Sequence, residues 1–136
     1  MSMRFPQMDE KSLELDARYM GIKEKMSRVE LHRQALTMLR ESGLEEKYTL
    51  KHQQVHESAI KALNDEISEM KLAQIEDFLL LTDPETIDVL KMRYIDYLPW
   101  NEIANRCDRT IRWVQMSRNR GLHQIAEAKE APGISV

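Results

Sequence analysis

The chain has 136 residues, of which 32% are charged, with four Gly, four Pro and one Cys. That length holds one small domain, or one domain on a helical stalk, and the shortage of turn-forming residues excludes an all-β fold. No apolar run approaches the roughly 20 residues of a transmembrane helix, and a single cysteine excludes a disulfide framework or a Cys-rich zinc site. The formal net charge of −3 hides a segregation: residues 1–90 carry 12 Lys and Arg against 18 Asp and Glu, whereas residues 91–123 carry 7 against 3.

In chain order, the opening residues Met1 to Pro6 lead into Gln, Asp and Glu and not into an apolar stretch. No secretory leader is therefore expected, and the protein is expected in the cytoplasm. Between residues 12 and 40, Leu15, Ile22, Val29 and Leu36 recur every seventh position, with Tyr19 and Met26 four residues after the first two. This spacing predicts one apolar seam on a long helix. Ser42-Gly43-Leu44 is expected to end it, with Gly43 in the left-handed conformation and Leu44 folded back on the last turn. A second helix is predicted over about 45–80, with Val55, Ala59, Ile60, Leu63, Ile67, Met70, Ile75 and Leu79 at mixed threes and fours. Two long helices with one apolar stripe each must pair with each other or with another copy, so residues 8–81 read as an antiparallel, coiled-coil-like hairpin.

At Thr82-Asp83-Pro84-Glu85 a separate bundle begins: Asp83 can cap a helix, Pro84 fits its first position, and Glu85 suits the positive end of its dipole. Ile87, Val89, Leu90 and Tyr94 supply its buried face, and Tyr97-Leu98-Pro99 closes it before a start at Trp100 or Asn101. Residues 82–128 form this second region and residues 129–136 a flexible tail. The expected class is all-α.

From Trp100 to Leu122 the pattern is a short helix, a tight turn at Asp108-Arg109 and a second helix from Thr110 through Gly121. Ala104 permits a close helix crossing, with Ile103, Cys107 and Val114 closing a small core around it. Thr110 can cap the second helix. With Val114, Ser117, Gly121, Leu122 and Ile125 turned inward, the opposite face presents Ile111, Arg112, Gln115, Met116 and Asn119. Arg, Gln and Asn are the side chains that bond bidentately to base edges in a major groove. Arg109, Arg112, Arg118 and Arg120, with no acid among them, can neutralise phosphates on either side. The candidate interface to double-stranded DNA is thus Arg109, Thr110, Ile111, Arg112, Gln115, Met116, Arg118, Asn119 and Arg120. An acidic stalk on a basic module suits a partner that is a polyanion.

Four other features have plainer readings. Trp113 is expected to anchor helices together in preference to stacking on a base. Trp100 fits equally well against the stalk or near a phosphate. Cys107 reads as a small buried hydrophobe. His52 and His56 are four residues apart beside Glu57, but zinc wants further ligands that are not placed nearby, so a solvated face is expected. No Gly-rich phosphate loop and no nucleophile in a catalytic context occur, so no enzyme, cofactor or metal is expected.

Val89 to Ile95, then Trp100-Asn101-Glu102-Ile103-Ala104, Arg112-Trp113-Val114 and Gly121-Leu122, resemble the region 4 helix-turn-helix of sigma-70 factors. More narrowly, they resemble the small phage and prophage proteins of the ArpU/RinA type, over residues 82–126, about a third of the chain. The resemblance implies a late-gene transcription regulator that binds promoter DNA through residues 110–120 at the bacterial nucleoid and touches host RNA polymerase. A homodimer through the N-terminal helices would extend the sequence read. Two departures stand out. Asp108 occupies a turn position where Gly is common, and Asp tolerates the left-handed conformation. Pro99 occupies the usual Ser/Thr capping position, which leaves open how that helix start is capped. Two other functions stay open: a terminase-like DNA-packaging component that assembles into a ring, and a region 4 mimic that binds polymerase without reading DNA.

Overall fold

A computed structural model describes residues 7–130, in which five helices and no strand occur. They are α1 (Glu10–Arg40), α2 (Glu46–Phe78), α3 (Pro84–Tyr94), α4 (Trp100–Cys107) and α5 (Ile111–Glu130). The all-α expectation holds. The tail expected over 129–136 is helical at Lys129 and Glu130 and otherwise lies outside the described residues. None of these helices is long and apolar enough to cross a membrane.

The helices divide into two compact units, one of residues Met20–Ala73, the other of the chain up to Tyr19 together with Gln74 onward. In the first unit Ile22 and Val29 of α1 pack with Leu63 and Ile67 of α2, and Ile60 and Met70 lie against them. Lys25 pairs with Glu66 at 2.7 Å and Arg40 with Glu57 at 3.9 Å, so contacts run in opposite order along the two helices. Positions 60, 63, 67 and 70 alternate threes and fours, which keeps one stripe facing a neighbouring helix. Val55, at 58% exposure, falls off that stripe, as Met26 does on α1. Gly43 takes φ +74° as expected. Leu44, however, is exposed and does not fold back; Ser42 closes the turn, donating to the Leu39 carbonyl (2.7 Å) and accepting from the Leu44 N–H (3.2 Å). His52 is solvated as expected, but half-buried His56 bonds His32 through their Nδ1 atoms at 2.8 Å.

The second unit departs from the boundary expected at residue 82, because the ends of the long helices build its wall. Tyr19 of α1 is 1% exposed and stands edge-on to Phe78 and Tyr94, at centroid distances of 5.5 and 5.2 Å. Its hydroxyl donates to Asp77 (2.7 Å), which also accepts from Lys129 of α5 (3.0 Å). The Tyr94 hydroxyl likewise donates to Asp16 of α1 (2.6 Å). Burial, then the bond to a carboxylate, raises the pKa of both phenols, so they stay protonated donors. A buried hydroxyl and carboxylate satisfy each other and are costly to separate.

The helix starts follow their caps. The Asp83 carboxylate accepts from the Glu85 N–H (3.3 Å) and the Thr86 hydroxyl (2.6 Å), with Pro84 at the first position. The buried face of α3 is Thr86, Val89, Leu90 and Tyr94; Thr86 takes the place expected for Ile87, which is half-exposed. Thr86 goes inside because Gly121 of α5 approaches it: a Cβ at Gly121 would stand 2.6 Å from the Thr86 methyl. Of the three leucines before α3 only Leu81 is buried, and Leu79 and Ile75 are exposed. Pro99 precedes α4 in extended conformation with no side-chain cap, and its carbonyl accepts from the Glu102 and Ile103 N–H groups, both at 3.1 Å.

Candidate nucleic-acid interface

The end of α4 and the start of α5 are joined by a turn that Asp108 makes in the left-handed conformation, φ 53° and ψ 46°. Asp108 therefore does what Gly does in such turns, and the Arg109 N–H closes it on the Ala104 carbonyl (3.0 Å). Thr110 then caps α5, its hydroxyl accepting from the Trp113 N–H at 3.0 Å. Beneath the turn, Val89, Ile103, Ala104 and Val114 form a buried cluster, with Cys107, Trp100 and Trp113 packed on its edge. Cys107 is half-buried and burial pushes its thiol pKa up, away from the reactive thiolate.

The inward face of α5 is Val114, Ser117, Gly121, Leu122, Ile125 and Ala126. Every residue expected there is buried. This fixes what the outward face can hold. Ile111, Arg112, Met116 and Arg120 are exposed, and Gln115 and Asn119 are half-buried between the two faces. Among the described residues Arg112 has no bonded or ionic partner, whereas Arg120 stands close enough to Asp83 to help lower its pKa, after the larger effect of the Thr86 hydroxyl.

Of the four arginines, Arg118 is spent within the protein and Arg109 is shared with it. Arg118 does not lie on the open face: its side chain is 12% exposed, its Nη1 is 3.7 Å from Asp16, and its guanidinium stacks on Trp100 at 4.9 Å. Its Nε donates to the Asn119 carbonyl oxygen at 2.6 Å. A helix places residues 114, 118, 121 and 125 on neighbouring rows, so position 118 borders the buried face. Arg109 covers the Trp113 ring at 4.5 Å and pairs with Glu85 at 3.7 Å while staying half-open to solvent. Thr110 has its hydroxyl committed to the cap. Ile111, Arg112, Gln115, Met116, Asn119 and Arg120 remain together along the outward rows, with Arg109 at their N-terminal edge.

Several organising residues were not legible beforehand. Arg93 of α3 also stacks on the Trp100 ring, at 4.4 Å, and bonds the Leu98 carbonyl at 3.2 Å. His123 of α5 joins Asp9 (2.8 Å) and Glu127 (2.6 Å). The bond to Asp9, then the charge of Glu127, raises the His123 pKa; the Ser12 backbone N–H, with His123, holds the Asp9 carboxyl down to about 2. The partners are 78 residues apart for Tyr94 with Asp16 and 114 for His123 with Asp9, so no local spacing announces them. Among the described residues no three His, Cys, Asp or Glu converge to hold a metal ion. A cavity of about 380 Å³ lies between α3, α4 and the start of α5, lined by Met92, Cys107 and Trp113 under a rim of Glu85, Asp88, Lys91, Arg106 and Arg109.

Compared with family models, with curated proteins and with solved structures, the chain matches none.

Proposed function

We propose that the chain is a sequence-specific DNA-binding transcription regulator, with α5 as the helix that enters the major groove. The observation that carries this reading is the outward face of α5: an unpartnered Arg112 among Ile111, Gln115, Met116, Asn119 and Arg120, with no carboxylate between Arg109 and Ala126. A guanidinium left unpaired beside two amides is the equipment of base-edge readout. The surrounding cations Arg109 and Arg120 suit phosphates, which set position without reading sequence. On the same reading residues 20–73 form a helical hairpin that pairs two copies or touches RNA polymerase. The resemblance to ArpU/RinA-type proteins suggests late-gene activation in a phage or prophage.

Selection of bound duplexes from a random library by the full chain at about 150 mM salt tests the reading, since non-specific phosphate binding is weakened there. An enriched motif that blurs for Arg112→Ala supports it. Binding of all duplexes alike, or none, removes it.

A further inference from the structure

The outward side chains of α5 differ in hydrogen-bonding sense, and that difference bears on which base is read. We propose that α5 selects guanine through Arg112, and that Arg118 excludes adenine by holding the Asn119 carbonyl, an inference that rests on the DNA-binding reading above. Adenine is recognised by an amide that donates to N7 while accepting from the N6 amino group. Asn119 has its carbonyl oxygen engaged by the Arg118 Nε–H at 2.6 Å. Exchanging the amide O and N would set donor against donor, so the orientation is fixed by the bond. The guanidinium that holds it is 12% exposed and pinned between Trp100 and Asp16, which draws the carbonyl towards the packed side of the helix.

The other acceptors on this face are equally withdrawn. The Gln115 carbonyl oxygen is buried and meets no donor. No carboxylate stands between Arg109 and Ala126 to accept from the N4 amino group of cytosine. The face therefore offers donors and apolar ends. The exposed fork of Arg112 matches O6 and N7 of guanine, the acceptor-only base edge, and Ile111 and Met116, both exposed, suit the methyl group of thymine. Arg118 is a positioning residue in this scheme: it acts on DNA only through Asn119.

The test takes the duplex selected by the full chain and replaces each guanine in turn by 7-deazaguanine, which keeps base pairing and O6 and removes only the N7 acceptor. At least one replacement is expected to weaken binding of the wild type about tenfold, and to have no such effect on Arg112→Ala, as a bidentate contact requires. Selection with Arg118→Lys, which keeps a cation near Asp16 but has no Nε–H, is expected to admit adenine beside the guanine, with a melting curve showing the variant folded. A selected motif without guanine, or guanines indifferent to the replacement, overturns the proposal while leaving a sequence-specific DNA-binding protein in place. A folded Arg118→Lys that selects the same motif removes the role of Arg118. Binding without preference, or no binding, removes both the function and the base assignment.

Discussion

Arg112 and Arg118 are six residues apart on one helix and have opposite surroundings, open solvent for one and Trp100 with Asp16 for the other. Arg112→Ala is expected to weaken binding to the best duplex by about 1–3 kcal/mol and to leave the denaturation midpoint nearly unchanged. Arg118→Ala should do the reverse and lower stability by about 1 kcal/mol, because it strips a stacked cation from Trp100 and a partner from Asp16. Denaturant titration beside equilibrium DNA binding separates the two. His123 gives a pH signature. Its pKa is raised in the fold, so its contribution is fully present below the unfolded value of about 6.5 and is lost as pH rises through the folded value. Asp9 is held down to about 2, so its contribution persists above its unfolded value of about 4 and fades only below that. The melting-temperature difference between wild type and His123→Gln is therefore expected to be largest near about pH 5, to shrink as pH rises past the raised folded pKa of His123, and to shrink again at strong acid.

At the scale of helices, close approach decides which substitutions are tolerated. Gly121→Ala would place a Cβ 2.6 Å from the Thr86 methyl and 3.1 Å from Leu90, both packed side chains. The expected loss is about 1–3 kcal/mol, as for overpacking elsewhere, read as a lower urea midpoint with unchanged slope. Helix starts were the most legible part of the chain, because Asp83-Pro84 and Thr110 act on N–H groups two or three residues away. The seam of α1 was legible too: Leu15, Tyr19, Ile22, Val29 and Leu36 are all 5% exposed or less. The facing of α2 was not. Mixed threes and fours allow two adjacent stripes, and only the partner helix decides between Leu63 and Ile67, which it buries, and Val55 and Ile75, which stay exposed. Of the candidate site, the division of α5 into two faces was legible from periodicity. That Arg118 belongs to neither was hidden, because Arg118 and Asp16 are 102 positions apart in the chain.

Across the whole molecule, the segregated charge acquires a narrower meaning once the internal pairs are known. Arg118 is spent on Asp16 and Arg109 is shared with Glu85, so fewer cations are open to an outside partner than the sequence offers. Raising the salt should lower the logarithm of the binding constant with a slope of about −2 to −3 per site. Arg120→Ala should reduce that slope by about one, and Arg118→Ala should leave it unaltered. The boundary expected at residue 82 would cut through the unit that carries the site, since Leu15, Tyr19 and Phe78 are buried in it. A fragment of residues 82–136 is accordingly expected to show weak helical circular dichroism and no cooperative melt, while the full chain melts cooperatively. The bonds from Asp9 to His123, Asp16 to Tyr94 and Tyr19 to Asp77 span 114, 78 and 58 residues. A nascent chain cannot complete this unit until α5 has left the ribosome, and in refolding the long loops must close before their contacts repay the entropy lost. A chain interrupted before α5 therefore leaves Asp16, Asp9 and Asp77 without Arg118, His123 and Lys129, and its half-built unit is a target for chaperones and proteases.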